Sequence, residues 1–327
     1  IALKTLGIKS LFAFGLMFIP TLGFGLSFPL ANRIYLSLFG TVSKTLGNIY
    51  ALNTIGALMG TILAPFFFIP LMGIRMSLFA IYSLLIVLCF IAMAIHFKLK
   101  GKYIATSAIF TIFIIGGGYV WSNPKINAKQ LGSHNLARTE INVPESDLKL
   151  LEYKEGNFST LSVIENEKSG ARTLYMNGFS TATVSDSIGG SSYMQAMGFV
   201  PMVLHPNPKK AMVICFGTGN TTGTVSLFPG VKVDSIEIDK NVLSLAHHFK
   251  KWNQNVLEKN NVQTIIQDGR TFTRWTKNKY DVITLEPMSP VQAGTVNLYT
   301  KDFYELSANI LNKNGIMMQW LPLHLVG

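Results

Sequence analysis

The residues with most chemical content in this chain are a closely spaced set of glycines and the acids that follow it. Between Ala211 and Asp239 an apolar run (Ala211 to Phe216) passes into a glycine-rich turn at Gly217, Gly219 and Gly223. After a helix-length segment, a second β-rich run closes on Glu237 and Asp239. Glycines let the backbone pass close to a ligand, and an acid at the end of the next strand can take both hydroxyls of a ribose. Strand, glycine turn, helix, strand and carboxylate is the order a nucleoside-binding α/β unit requires. Further on, Asp268-Gly269-Arg270 follows one strand-like run and Glu286 closes another. Gly219, Glu237 or Asp239, Asp268 and Glu286 then share the carboxyl-end rim, where open parallel sheets hold their ligands. A carboxylate on that rim can orient a nucleophile and take its proton.

Other reactive residue types point nowhere else. His247-His248 reads as a solvated helix face, and with no Cys or His cluster nearby no metal site is expected. The two cysteines, Cys89 and Cys215, both sit in apolar runs. A disulfide framework is therefore not expected, and a reducing compartment is the simpler reading.

The elements that must position these residues can be read from periodicity. Residues 150–185 alternate apolar and polar side chains (LLEYKE, FSTLSVIE, ARTLYM, FSTATV). The runs are separated by Gly156-Asn157, Lys168-Ser169-Gly170 and Asn177-Gly178, which predicts a small antiparallel hairpin sheet. A helix over Ser191 to His205 then leads through Pro206 and Pro208 to the first parallel strand. Beyond Asp239 the pattern predicts a helix to about Asn253, a strand at Val262 to Ile266 and a helix through Trp275. A strand at Asp281 to Glu286, a helix at Lys301 to Leu311 and a strand at Gly315 to Trp320 complete it. Alternating strands and helices argue a doubly wound parallel sheet.

The front of the chain belongs to a different solvent. All 17 Asp and Glu lie after residue 121, while the first 121 residues carry eight Lys or Arg and no acid. Four uncharged stretches follow one another, Ser10 to Asn32, Thr45 to Ile74, Met76 to Phe97 and Tyr103 to Pro124. Each has room for the roughly 20 residues a membrane helix requires. A central Leu, Ile or Phe favours insertion by about 0.3 to 0.6 kcal/mol and a central charge opposes it by about 3, so the lipid bilayer is an expected partner. Gly56 and Gly60 form a GxxxG step, Asn53 is placed for helix-to-helix hydrogen bonding, and Pro20, Pro65 and Pro70 should kink or end helices. With no acid inside a span, a self-contained transporter is not supported. Residues 122–327 balance 20 basic against 17 acidic side chains, so the net charge of +11 is not a nucleic-acid signature.

From Leu150 to Leu323, the hairpin sheet, Ser192-Tyr193, HPNPKKAMVICFGTG, SIEID, QDG and YDVITLEPMSP follow in the order of the spermidine synthase, or polyamine aminopropyltransferase, family. With its hydrophobic front end the chain resembles the membrane-fused spermidine synthase-like branch. The resemblance implies four segments. Residues 1–124 would be four transmembrane helices and 125–149 a linker, 150–185 the β-hairpin subdomain, and 186–327 a Rossmann-like domain of the class I methyltransferase type. It also implies a donor co-substrate, decarboxylated S-adenosylmethionine, with no prosthetic group. Gly217, Thr218 and Gly219 would face the methionine-derived part of the donor. Glu237, with Asp239 beside it, would bind the ribose, and Asp268 with Gly269 the adenine. Tyr193 and Ser289 would line the pocket of a small-molecule amine acceptor, and Glu286 would accept the proton of the attacking amine.

Two departures from the family pattern matter. The glycine motif has Thr218 where the family carries an aspartate, and the DxxDP motif becomes Glu286-Pro287-Met288-Ser289-Pro290. The nucleoside half of the site is thus kept and the amine half altered. A methyltransferase using S-adenosylmethionine on a membrane-proximal acceptor, or a nucleoside-binding module without turnover, therefore stays open beside aminopropyl transfer. Because the donor is cytosolic, the resemblance implies an integral, multi-pass protein of the cell or inner membrane. Its C-terminal domain would be cytoplasmic, and a homo-oligomer is compatible with it. The chain is expected to be cut from something longer at both ends, since Ile1 opens in mid-protein and Gly327 precedes an expected hairpin.

Overall fold

The computed structural model of the chain describes residues 2–39, 41–96, 108–109, 111–112, 114–119, 145–187, 191–290, 292 and 294–322. Its internal contacts divide it into two compact units, Ile1–Phe67 and Phe68–Gly327.

The first unit contains helices α1 (Ala2–Phe39) and α2 (Val42–Leu63). Apolar side chains cover them on all sides, with Leu11, Phe24 and Leu52 at 72%, 71% and 65% exposure, a pattern that water does not stabilise. Hydroxyls are satisfied within the helices, as where Thr54 Oγ1 donates to Tyr50 O at 2.8 Å and Thr61 Oγ1 to Ala57 O at 2.8 Å. One expectation changes here, and two others find no partner among the described residues of the unit. The helix α1 runs on through position 20, where a kink or an end was expected. Asn53 is exposed, and Asn48 instead donates from Nδ2 to the Tyr35 hydroxyl at 3.2 Å. A Cβ at Gly56 or Gly60 would meet nothing within 4 Å, so the GxxxG face is uncovered within the unit.

The second unit begins with α3 (Ile69–His96). The chain enters it through a π-turn at Ala64–Phe68, where Pro65 has no N–H to give to a regular ladder. Among the described residues, Ser10–Leu36 and Val42–Leu88 are long and apolar enough to cross a membrane, where four such stretches were expected along the chain. As one straight helix, the 47 residues of Val42–Leu88 would run about 70 Å, over twice the thickness of a hydrocarbon core. Gly73, at φ 79° and ψ 169°, breaks the helical backbone two residues before Arg75, where the expected second and third spans meet. Most of the fourth expected span and of the 125–149 linker lie outside the described residues.

An antiparallel sheet follows in the order β1 (Leu148–Glu155), β2 (Thr160–Asn166), β3 (Arg172–Met176) and β4 (Phe179–Val184). Asn177 and Gly178 join the last pair with φ of 52° and 80°, the left-handed backbone a two-residue hairpin needs. The inner face, Leu161, Val163, Leu174 and Val184, packs on Leu245 and Phe249 of the following domain.

That domain is a five-stranded parallel sheet in the order β7-β6-β5-β8-β9. The strands are β5 (Lys210–Ile214), β6 (Lys232–Glu237), β7 (Val262–Ile266), β8 (Tyr280–Leu285) and β9 (Leu311–Gln319). The central strand β5 shows why helices cover both faces. Met212 and Ile214 pack toward Phe303 and Ile310 of α9 (Lys301–Ile310), while Ala211 and Val213 pack toward Met202 of α4 (Ser192–Leu204) and Val225. The strand order reverses at β5, which places a crevice at its carboxyl end. The helix expected from Asp239 to Asn253 is divided into α6 (Lys240–Leu245), a 3-10 turn at Ala246–Phe249 and α7 (Lys250–Asn253). The last strand begins at Leu311 rather than Gly315.

Candidate active site

The site is built where β5 ends. Cys215 turns the chain at φ 71°, Gly217 (φ 56°) and Gly219 (φ 81°) carry it through the turn, and α5 (Asn220–Val225) starts at once. A Cβ on Gly219 would lie 2.5 Å from the Phe216 ring, so this position excludes a side chain on steric grounds as well as by backbone conformation. Gly217 has open space where its Cβ would be, leaving the turn accessible.

In front of the turn is a cavity of about 260 Å³. The glycine turn forms one wall, Glu286 and the loop to Ser289 another, and Phe179 to Ala182 of β4 a third, while Tyr193 and Met194 of α4 and Trp320 complete it. Of the expected site residues, Tyr193, Gly217, Thr218, Glu286 and Ser289 thus meet around one space.

Glu286 is the single carboxyl group among the described residues that line this cavity. Burial pushes its carboxyl up to about 7, and a hydrogen bond from Thr221 opposes the rise. The Thr221 hydroxyl has a second acceptor, Met194 O at 2.9 Å, beside Glu286 Oε1. One hydroxyl proton cannot serve both acceptors fully, so a protonated Glu286 can donate to Thr221 while Thr221 donates to Met194. Ionisation turns the Thr221 hydroxyl toward the carboxylate, the direction in which it lowers the Glu286 pKa. Burial, with the Glu286 charge beside it, raises the Tyr193 phenol to about 12, so it stays a neutral donor and acceptor at physiological pH. The Tyr299 hydroxyl donates toward Pro287 O and Met288 O at 3.2 and 3.1 Å, which fixes the loop carrying Ser289.

The remaining expected residues lie on the same strand-end rim but do not line this cavity. Glu237 is 6% exposed, and its two oxygens accept from the backbone N–H of Phe216 (2.9 Å) and Asp239 (3.0 Å). Burial raises its carboxyl and those amides lower it. Asp239 caps α6 through Asn241 N at 2.9 Å and takes the Ser159 hydroxyl at 2.7 Å, which ties the hairpin sheet to the rim. Asp268 caps α8 (Gly269–Trp275) through Thr271 N at 2.7 Å. A Cβ on Gly269 would lie 2.5 Å from the Ile214 side chain, so this glycine lets α8 close onto β5.

Three residues of the site escaped the sequence reading. Thr221 and Asn220 stand directly after the glycine turn, which was their only signal, and Cys215 was read only as an apolar cysteine. Burial and then the charges of Glu237, Glu286 and Asp268 raise the Cys215 thiol well above its usual range, which makes it a poor nucleophile. Away from this site, His247 is exposed, as a solvated face requires, while the His248 side chain is half-buried. His248 Nε2 lies 2.7 Å and His247 Nε2 3.5 Å from Glu152 Oε2. Lys154 holds the other oxygen of that carboxylate at 2.9 Å, and burial lowers the His248 pKa, which favours a neutral imidazole in hydrogen-bond contact with Glu152.

Comparison with known proteins agrees with this geometry. Residues 190–320 match the family of the spermine/spermidine synthase domain. A polyamine aminopropyltransferase of Clostridium botulinum is 28% identical over 166 residues, which are 50% of this chain and 57% of that protein. One of Methanocaldococcus jannaschii is 29% identical over 171 residues, 52% of this chain and 57% of that protein. The crystal structure of a spermidine synthase in complex with the transition state analogue AdoDATO superposes with a TM-score of 0.50 at 25% identity. That match covers 55% of this chain and 61% of the other. The chain therefore spans somewhat over half the length of the relatives it matches.

Proposed function

From a chain whose residues 190–320 match the model of the spermine/spermidine synthase domain, we propose an enzyme that moves an aminopropyl group from decarboxylated S-adenosylmethionine to an amine. The observation that carries this reading is Glu286, a carboxyl raised to about 7 by burial and facing the glycine turn across one cavity. A base with that pKa is ionised in useful measure at neutral pH and still holds a proton well.

The donor is a sulfonium and needs no further activation, so the enzyme's task is alignment and proton removal. The amine lone pair attacks the methylene carbon next to sulfur. A C–N bond forms as the C–S bond breaks, sulfur keeps the electron pair and leaves as a neutral thioether, and the nitrogen gives its proton to Glu286. Tyr193 and Ser289 position the amine. Gly217, Thr218 and Gly219 receive the aminopropyl end of the donor, Glu237 its ribose, and Asp268 with Gly269 its adenine, while Asp239 acts by fixing α6 and the hairpin sheet. The similarity to a spermidine synthase in complex with a transition state analogue supports aminopropyl transfer. We read the N-terminal helices as a multi-pass membrane region with the synthase-like domain on the cytoplasmic side, on the strength of two apolar stretches and the acid-free first 121 residues.

Calorimetric titration of the detergent-solubilised protein with decarboxylated and intact S-adenosylmethionine tests the reading. Tighter binding of the decarboxylated donor is expected. Preference for the intact molecule would move the assignment to methyl transfer, and binding of neither would reduce the site to a scaffold.

A further inference from the structure

The cavity at Glu286 contains one charge. Among the described residues that line it, Glu286 is the single acid, and there is no Lys, Arg or His. The other polar groups are neutral: Thr218, Asn220, Thr221, Ser289 and Gln292 beside the Tyr193 phenol. Ser180 and Thr181 add two further neutral hydroxyls, and the apolar part of the wall includes Phe179, Met194, Phe216, Met288 and Trp320. The structure assigns to this cavity an acceptor that is a monoamine, with one ionisable nitrogen and a neutral or apolar far end, rather than a diamine or polyamine. This inference rests on the aminopropyl-transfer reading above and names its substrate class.

The argument is one of charge and of hydrogen-bond partners. The donor's sulfonium and the ammonium of its aminopropyl end already bring two positive charges toward the one carboxylate that must also face the attacking amine. A second ammonium at the far end of the acceptor would enter a partly desolvated space with no counter-charge left, and burying an unpaired charge is costly. An apolar far end meets Phe, Met and Trp side chains instead and is favoured by the water it leaves.

Asn220 independently distinguishes a hydroxyl or amide far end from an ammonium. It is 1% exposed, and neither its Nδ2 nor its Oδ1 has a partner among the described residues; the Ser289 hydroxyl is likewise buried and unpaired. An amide needs a partner that both gives and takes a hydrogen bond. A hydroxyl or amide on the acceptor satisfies both atoms, whereas an ammonium, which only donates, would satisfy Oδ1 and leave Nδ2 unpaired.

The test compares three acceptors of equal chain length on the detergent-solubilised full chain with decarboxylated S-adenosylmethionine: butylamine, 4-aminobutan-1-ol and butane-1,4-diamine. We expect kcat/KM for the two monoamines to exceed that for the diamine at least tenfold. The variant Asn220→Asp, which adds a second carboxylate without changing shape, should reduce that preference tenfold or more. A diamine used as well as the monoamines by the unaltered protein would overturn the inference and leave aminopropyl transfer standing. Donor binding without transfer to any of the three would remove the aminopropyl-transfer reading and this inference with it.

Discussion

Glu237 and Glu286 are both glutamates at the carboxyl end of strands in one parallel sheet, and burial raises both carboxyls, yet they are held in opposite ways. Glu237 is gripped by the backbone amides of Phe216 and Asp239. The neighbouring acids Asp239 and Asp268 are likewise committed to helix caps. Glu286 has a threonine hydroxyl and an otherwise uncharged cavity. Acids bound to backbone amides are fixed in position and suited to recognising a constant ligand. An acid set among neutral and apolar side chains has a pKa near the working pH and suits proton transfer. Glu237, Asp239 and Asp268 are thus held in place by backbone amides, whereas Glu286 is the acid of this rim whose proton is readily exchanged.

The largest expected effect breaks that contrast at its reactive end. Glu286→Gln should lower turnover on the order of a hundredfold or more, as loss of a general base does, while leaving donor affinity within about twofold. Rapid-quench single turnover beside calorimetry would check it, and turnover left intact would make Glu286 structural.

A smaller effect concerns the donor side. Asp268→Asn keeps the cap on α8 but removes the charge, and it should weaken nucleoside binding by about 1 to 3 kcal/mol with the rate of the bound complex little changed. Unchanged affinity would take Asp268 out of the binding site.

The smallest concerns stability and has a definite sign. A carboxyl raised from 4.5 to about 7 in the folded protein binds its proton more tightly there than in the unfolded chain. Stability is therefore greatest below about pH 4.5 as far as this group is concerned, and it falls as pH rises through 7. Glu286→Gln should remove that loss and be more stable than the unaltered protein by about 1 to 3 kcal/mol at pH 8, with little advantage at pH 4.5. Denaturant unfolding at the two pH values would decide it, and an equal difference at both would mean that Glu286 ionises freely.

How much of this was legible in advance depends on the range of the interaction. Asn177-Gly178 announced its hairpin because a two-residue turn requires left-handed backbone that those residues supply, and the alternation in β1 to β4 encodes which face is buried. The parallel strands were readable to within a few residues for the same reason. The helix after Asp239 was not: its division at Ala246–Phe249 answers to packing against the hairpin sheet, a contact between segments far apart in the chain. The break at Gly73 coincides with the charge at Arg75, yet the backbone dihedral itself is a matter of the folded chain.

By itself the sequence determined the parallel sheet, the glycine turn, the acids at the strand ends and the separation of an acid-free apolar front from a charge-balanced remainder, because each depends on local backbone preference or on hydropathy along the chain. Only the tertiary structure decided which acid is restrained and which is poised. Those outcomes depend on Thr221 meeting Glu286 across 65 positions, on Phe216 N reaching Glu237 across 21, and on Asn220 being buried without a partner. Electrostatics in a folded protein is set by what surrounds a charge in space, and neighbours in space are not neighbours in sequence.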